Sequence, residues 1–428
     1  MDIKLRKSAI RNPQSIIRIS GSKSETNRML LLQALYPTIF IENASDSDDS
    51  LVLKQAIAIF DAANSHQQTP ILNVHHAGTA MRFLTAYFAI QENRTVVLTG
   101  SERMKERPIK ILVEALRQLG ADIAYLENEG FPPLKIKGKK ITTSKVTLNA
   151  NVSSQYISAL MLIAPKLENG LKLTLEGEIT SLPYVKMTLE LLNKIGVTTT
   201  FINNEIIVSH KSQVTSHKFI VESDWSSASY WYSIVALSEI GTQISLSSYK
   251  KNSLQGDNTV VEIYNDFGLE TIFNEDNSIT ISKTRNCHSN DGEQAKQLSI
   301  VNYQLNNCPD IAQTIAVTCF GLGMGCHLTG LQTLKIKETD RLEALKIELT
   351  KLGASISVTN DSLTLESSSK INSNIKIATY NDHRMAMAFA PLAIKASIVI
   401  ETAEVVSKSY PNFWADLKSI GFEMEQIY

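Results

Sequence analysis

One pattern of apolar and polar positions recurs along this 428-residue chain. A helical apolar period ends in glycine, an alternating run follows, a polar turn intervenes, and a second alternating run closes the unit. It reads ILVEALRQLGADIAYLENEGFPPLKIKG from Ile111 and MTLELLNKIGVTTTFINNEIIVS from Met187. It returns as VVEIYNDFGLETIFNEDNSITIS from Val260 and RLEALKIELTKLGASISVTNDSLTLES from Arg341. A truncated copy, FWADLKSIGFEMEQI, closes the chain, and a looser one begins at Leu51. Gly120, Gly196, Gly268, Gly353 and Gly421 fall where a helix ends in a left-handed residue. The period is roughly 70 residues, longer than a solenoid repeat, so each unit is predicted to be a small α+β element.

A second set of helices is predicted between these copies. They start as GSKSETNRMLLLQAL at Gly21, HAGTAMRFLTAYFAI at His76, VSSQYISALMLIA at Val152, SDWSSASYWYSIVAL at Ser223, CPDIAQTIAVTCF at Cys308 and NDHRMAMAFAPLAI at Asn381. Each opens on small or capping residues and then runs almost wholly apolar. A helix apolar on every face is buried on every face, so these are the inner helices. Six units suggest two domains of three. The N-terminal amides of buried helices need partners, and the positive ends of their dipoles suit anions.

Composition narrows the ligand. Lys plus Arg number 42 against 43 Asp plus Glu, a net charge of −1, which disfavours nucleic-acid or membrane-surface binding. The four cysteines form no CxxC pair, so neither a disulfide framework nor structural zinc is expected. The N-terminus has no apolar signal core, and the uncharged stretch between Asp310 and Lys335 reads as a buried helix, a turn and a strand. A cytoplasmic protein is the expectation.

Against that neutral background, cations gather at helix starts. Lys23 and Arg28 accompany Ser22 and Ser24; Arg82 follows Gly78-Thr79; Arg103, Lys105 and Arg107 precede a Pro-marked start. Ser153-Ser154-Gln155 offers more polar groups than one cap requires, and Ser181 and Tyr184 precede a helix read from Val185. Asp310 reads in isolation as a capping carboxylate, and Lys337-Glu338-Thr339-Asp340-Arg341 is dense enough to hold structural ion pairs. Asn381-Asp382-His383-Arg384 puts another cation at an inner start, and Lys408 lies before the last helix. Focused positive potential on a neutral chain indicates small polyanions, and acids placed within it indicate proton transfer.

The stretches GSKSETNR, AGTAMR, RMKERPI, VSSQ, SSAS, NSLQGD, PDIAQTIA, KETDRL and YNDHRMAM, in this order, resemble the EPSP synthases, or 3-phosphoshikimate 1-carboxyvinyltransferases. The resemblance implies the two-domain α+β enolpyruvyl-transferase fold, with three βαβαββ units per domain. It implies domains at 22–222 and at 1–21 with 223–428, and an active site in the cleft between them. It also implies transfer of the enolpyruvyl group of phosphoenolpyruvate to the 5-hydroxyl of shikimate 3-phosphate. By that resemblance, Lys23, Ser24, Arg28, Ser153, Ser154, Gln155, Ser181, Asp310 and Lys337 hold shikimate 3-phosphate. Lys23, Gly78, Arg107, Gln155, Arg341, Arg384 and Lys408 hold phosphoenolpyruvate. Asp310 takes the proton of the attacking hydroxyl, Glu338 protonates the methylene carbon, and Lys23 joins them in the catalytic set. No metal or cofactor is implied, and a monomer is the family expectation.

Some positions depart from the family pattern: Thr26, His76, Phe83, Thr333 and Asn412-Phe413-Trp414. Three other readings compete with this one. The related transferase acting on UDP-N-acetylglucosamine carries a reactive loop cysteine that RMKERP lacks. An inactive anion-binding homologue has no use for the retained acids. An RNA-end-processing enzyme is disfavoured by the missing basic excess.

Overall fold

The computed structural model describes residues 1–10, 16–63, 69–149, 153–177, 179, 181–287 and 300–427. The chain divides into two units, Gly21–Val221 and Met1–Ser20 with Glu222–Tyr428.

In the unit Gly21–Val221, the helices Lys23–Leu35, Gly78–Ala89 and Ser154–Ile163 pack against one another. Apolar residues run round most of each helix, so neighbouring helices and the strands beside them together remove that surface from water. Gln155 alone is not buried in Ser154–Ile163, which leaves a polar amide at an otherwise sealed helix start. Two four-stranded sheets share one topology. Ile71–Asn73 runs parallel to Thr95–Thr99, followed by antiparallel Leu134–Lys137 and Asp122–Tyr125. Lys145–Asn149, Leu171–Glu176, Glu205–Val208 and Thr199–Ile202 repeat that order. Each parallel pair is joined through an inner helix, as a parallel crossover requires. Alternation sets the faces: Leu134 and Ile136 are buried, Lys135 and Lys137 exposed. His217–Ile220 pairs in parallel with Ile39–Glu42, so the end of this unit supplies a strand beside its beginning.

In the unit containing Glu222–Tyr428, the helices Trp225–Leu237, Ala312–Leu322 and His383–Phe389 form the corresponding core. Ile300–Gln304, Gly325–Thr329, Ser362–Leu365 and Ile356–Val358 repeat the four-strand order, and Gln243–Leu246, Ile279–Lys283 and Leu269–Phe273 make a three-stranded relative. Ile17 bridges Leu246 in parallel. The last sheet explains why the final copy looks truncated. Its order is Ile375–Ile377, Ile398–Ile400, Asp2–Leu5 and Met424–Ile427, so the missing strand comes from the N-terminus.

The five helix-ending glycines have φ between 81° and 104°, the left-handed conformation expected of them. Helix starts differ in detail. The helix read from Val185 begins at Leu182, because Pro183 is tolerated in a first turn, and Tyr184 is therefore helical. Ser153 caps the helix beginning at Ser154, and Val152 lies outside the described residues. Cys308, Cys319 and Cys326 are buried free thiols, and Cys287 is half-buried. Among the described residues, no helix is long and apolar enough to cross a membrane.

Candidate active site

In the unit Gly21–Val221, the inner-helix starts collect polar groups. The Ser22 hydroxyl accepts from the Glu25 amide, capping Lys23–Leu35 and fixing Lys23 and Ser24 in its first turn. Lys23 Nζ lies 3.6 Å from Asp49 Oδ2, and His76 Nε2 lies 4.0 Å from Asp49 Oδ1. Arg28, 3% exposed, donates to Thr188 Oγ1 at 2.7 Å, Ser24 O at 2.8 Å, Ser158 Oγ at 2.9 Å and Tyr184 O at 3.2 Å. Its guanidinium also lies over the Phe83 ring, 5.5 Å from the centroid. Burial lowers its pKa to about 10, so it stays charged at neutral pH. Arg28 therefore braces three helices, and these contacts engage all three of its nitrogens.

The second helix start is built around Gly78. A Cβ there would stand 2.7 Å from Arg107 NH1, so the Arg107 guanidinium rests directly on a backbone that only glycine leaves open. Arg82, 4% exposed, donates to Gly78 O at 3.2 Å and Pro108 O at 3.0 Å, tying the helix to the loop that carries Arg107. Arg103 and Lys105 instead pair with Glu106, Glu102 and Glu127 at the surface, so the cation run resolves into one inward residue and two cations held in surface ion pairs. Gln155 Nε2 donates to Thr79 Oγ1 at 3.2 Å, and Ser153 Oγ accepts from the Gln155 amide. Ser154 is buried in the first turn, and Ser181 takes a left-handed φ of 57° ahead of Leu182 without capping the helix by its side chain.

In the unit containing Glu222–Tyr428, Asp310 is the centre. It lies in the turn Pro309–Ile311, ahead of Ala312–Leu322, and does not cap that helix as its position suggested. Its carboxylate is taken by side-chain cations instead. Arg341 NH1 lies 2.9 Å and Lys337 Nζ 3.6 Å from Oδ1, and Arg384 NH2 lies 3.1 Å from Oδ2. Arg384 NH1 also donates to the Asp310 carbonyl at 3.1 Å. Arg341 bridges three acids, reaching Asp382 Oδ2 at 2.6 Å and Glu338 Oε2 at 2.9 Å besides Asp310. Asp382 Oδ1 accepts from the Arg384 amide at 2.9 Å, capping His383–Phe389 and setting Arg384 in its first turn. Lys408 Nζ donates to Asn381 O, which places it beside the same helix start.

Burial pushes the Asp310 carboxyl up, but Arg384, Lys337 and Arg341 together outweigh it and hold the group well below the usual carboxylate range. Burial pulls the Arg341 guanidinium down, yet Asp382, Glu338 and Asp310 raise it above its ordinary value. Arg384 is raised as well, against its burial, chiefly by Asp310. Lys337 is lowered: the Asp310 charge raises it, but burial and Arg341 prevail. The result is an ionised carboxylate gripped by three cations, with a second acid, Glu338, on the same arginine.

Sequence-predicted residues thus meet at or beside inner-helix starts: Lys23, Ser24, Gly78, Arg107 and Gln155 in one unit, and Asp310, Arg384 and Lys408 in the other, where Lys337 and Arg341 from the segment opening Arg341–Lys351 reach Asp310 and Arg341 holds Glu338. Sequence reasoning missed Asp49, which is hidden in the acidic run SDSDDS yet neighbours Lys23. Ser226, Asp257 and Asp382 fall within the quoted stretches SSAS, NSLQGD and YNDHRMAM, but the sequence assigns them no role; Asp382 reads as a plain cap and is one, but it anchors Arg341 too. At Thr333, a position that departs from the family pattern, the hydroxyl is buried without a hydrogen-bond partner.

A model of the EPSP synthase (3-phosphoshikimate 1-carboxyvinyltransferase) family matches residues 8–417. A Bacteroides fragilis protein named 3-phosphoshikimate 1-carboxyvinyltransferase is 43% identical over 413 residues, covering 96% of each chain. A Sulfurovum protein of the same name is 34% identical over 433 residues, covering 96% of this chain and 97% of its own. Among solved structures, an EPSP synthase from Acinetobacter baumannii superposes with a TM-score of 0.77 at 20% identity, covering 99% of this chain and all of the other. The enolpyruvyl transferase NikO from Streptomyces tendae gives 0.71 at 13% identity, covering 99% and 98%. These two likenesses establish the fold, the α+β enolpyruvyl-transferase architecture that the motif resemblance implies. With residues 8–417 matched by the family model and a relative 43% identical over 96% of its length, the chain belongs to the EPSP synthase family.

Proposed function

We propose that this chain catalyses the addition of the shikimate 3-phosphate 5-hydroxyl to C2 of phosphoenolpyruvate, followed by loss of inorganic phosphate. The observation that carries the site assignment is the Asp310 carboxylate held by Arg341, Arg384 and Lys337. Two phosphates and two carboxylates must be neutralised, and the cations of the two clusters supply that charge. The carboxyl-acid pair then does the proton work. Asp310 takes the hydroxyl proton as oxygen bonds to C2, while Glu338 delivers a proton to C3, giving a tetrahedral ketal phosphate. Loss of a proton from the new methyl group and departure of phosphate restore the enol ether.

While three cations hold it, Asp310 is a weak base, because its lone pairs and its charge are already satisfied. Phosphoenolpyruvate arriving at Arg341 and Arg384 competes for those guanidiniums and releases the carboxylate for the hydroxyl. Base strength then rises only when the second substrate is present. Both clusters serve one substrate pair in this reading, so disabling either removes turnover. Arg28 acts mainly by bracing the helix that presents Lys23 and Ser24. A monomeric, cytoplasmic enzyme completes the proposal; sedimentation equilibrium at the mass of one chain would support the first of these.

The direct test is phosphate release from phosphoenolpyruvate in the purified protein. Release is expected only when shikimate 3-phosphate is added; release with UDP-N-acetylglucosamine in its place, or none with either, would overturn the reading. A second result follows from the close approach at Gly78. Gly78→Ala should displace Arg107 and raise the KM for phosphoenolpyruvate at least about tenfold, the cost of one charge-assisted hydrogen bond. The KM for shikimate 3-phosphate should change far less. Equal effects on both constants would remove Arg107 from the phosphoenolpyruvate site.

A further inference from the structure

Two polar side chains beside Arg384 take no part in the chemistry above. Arg384, 7% exposed, donates from NH2 to Ser226 Oγ at 3.3 Å as well as to Asp310. Ser226 Oγ in turn donates to Asp257 Oδ2. Asp257 is 3% exposed, and its other oxygen, Oδ1, is buried without a hydrogen-bond partner; Arg384 Nε is buried in the same condition. Ser226 lies in the first turn of Trp225–Leu237 and Asp257 in the turn Gly256–Thr259, so two further elements converge on one guanidinium. A buried carboxylate with an empty oxygen is costly to keep charged, and a neighbouring cation or a proton relieves it.

We propose that Ser226 and Asp257 are positioning residues for Arg384, and that Asp257 takes up a proton from solvent when a phosphorylated anion settles on that guanidinium. This rests on the reading of Arg384 as a phosphoenolpyruvate ligand. With Asp257 ionised, the Ser226 proton is committed to the carboxylate, and the hydroxyl lone pairs are turned to Arg384. The charges facing Asp257 are Asp310 from the turn Pro309–Ile311, Arg384 from His383–Phe389 and Asp224 ahead of Trp225–Leu237, with the buried Cys308 thiol nearby. Burial first, then Asp310, push the Asp257 carboxyl up to about 7, against the lowering by Arg384 and Ser226. A phosphate bound to Arg384 adds negative charge and weakens that compensation, so the carboxyl rises further. The sign follows from linkage. The bound state holds the proton more tightly, so the anion binds best below about pH 7 and more weakly as pH rises through that window.

The test is steady-state kinetics from about pH 6 to about pH 9 for the wild type, Asp257→Asn, Ser226→Ala, Ser226→Thr and Arg384→Gln. The phosphate of phosphoenolpyruvate titrates near 6, as phosphate monoesters do, and does so identically for every variant, so comparison between variants removes its contribution. In the wild type, kcat/KM for phosphoenolpyruvate should fall above about pH 7, and in Asp257→Asn that fall should vanish. Ser226→Ala should raise the KM for phosphoenolpyruvate about fivefold or more, with a smaller change in kcat, and Ser226→Thr should recover most of it. An unaltered pH profile in Asp257→Asn overturns the proton coupling, and equal behaviour of the alanine and threonine variants overturns the hydroxyl link. The Ser226 pair decides the positioning role even if Asp257→Asn does not fold. An Arg384→Gln variant with unchanged KM for phosphoenolpyruvate would sink the parent reading instead. A raised KM there, beside wild-type behaviour at Ser226 and Asp257, sinks only this inference.

Discussion

Asp310→Ala should lower turnover by at least ~10², the usual range for loss of a positioned general base, while substrate binding survives. The geometry sharpens this expectation. Asp310 consumes the charge of Arg341, Arg384 and Lys337, so its removal frees three cations for anionic substrate. The KM for phosphoenolpyruvate should therefore stay level or fall while kcat collapses, the pattern of an interaction needed in the transition state alone. Asp310→Asn separates charge from shape: it keeps a hydrogen-bond acceptor in place but cannot take a proton, so kcat should fall about as far. Rapid-quench measurement of the first turnover checks that chemistry, not product release, is what slowed. A kcat within about threefold of wild type would remove Asp310 from the proton transfer.

That a carboxylate and its cations share one site was legible in the sequence only as far as local rules reach. Capping residues, apolar runs and terminal glycines mark the inner helices, because buried helices announce themselves by composition alone. Pairings between distant segments are not marked in this way. Nothing in DIKL at Asp2–Leu5 says that its partners are Ile398–Ile400 and Met424–Ile427, since register depends on which faces meet after folding. The same limit hid the residues that hold the site's arginines in place. Asp382 is a helix cap by its neighbours and an arginine anchor only by virtue of a residue 41 positions away. Asp257 reached Arg384 through Ser226, a hydroxyl 31 positions earlier that reads as one small residue among many. Conversely, the three cations in RMKERP are equivalent by sequence, and only the fold separates Arg107 from the surface-paired Arg103 and Lys105.

The largest stability effect is expected at Asp382. Its side chain is fully buried against Arg341, itself 2% exposed, with contacts of 2.6 and 3.4 Å to two guanidinium nitrogens. Deleting one partner of such a pair leaves a desolvated charge and costs about 3–5 kcal/mol, far more than the pair itself contributes over an apolar replacement. Asp310 and Glu338 also touch Arg341 and compensate part of the stranded charge, so Asp382→Ala belongs near the lower end of that range. Lost capping of His383–Phe389 adds about 1 kcal/mol, which Asp382→Asn should spare because an amide oxygen still accepts from the Arg384 amide. Alanine should thus be the worse of the two. All three tryptophans, Trp225, Trp231 and Trp414, belong to the unit that contains Asp382, so their fluorescence follows that unit's unfolding in urea without interference from Gly21–Val221. The midpoint should drop with little change in slope, and the alanine variant should also lose activity as Arg341 and Arg384 drift from their places. A loss under about 1 kcal/mol would mean that water or the remaining acids reach Arg341 easily, and the rigid frame assigned to both arginines would have to be abandoned.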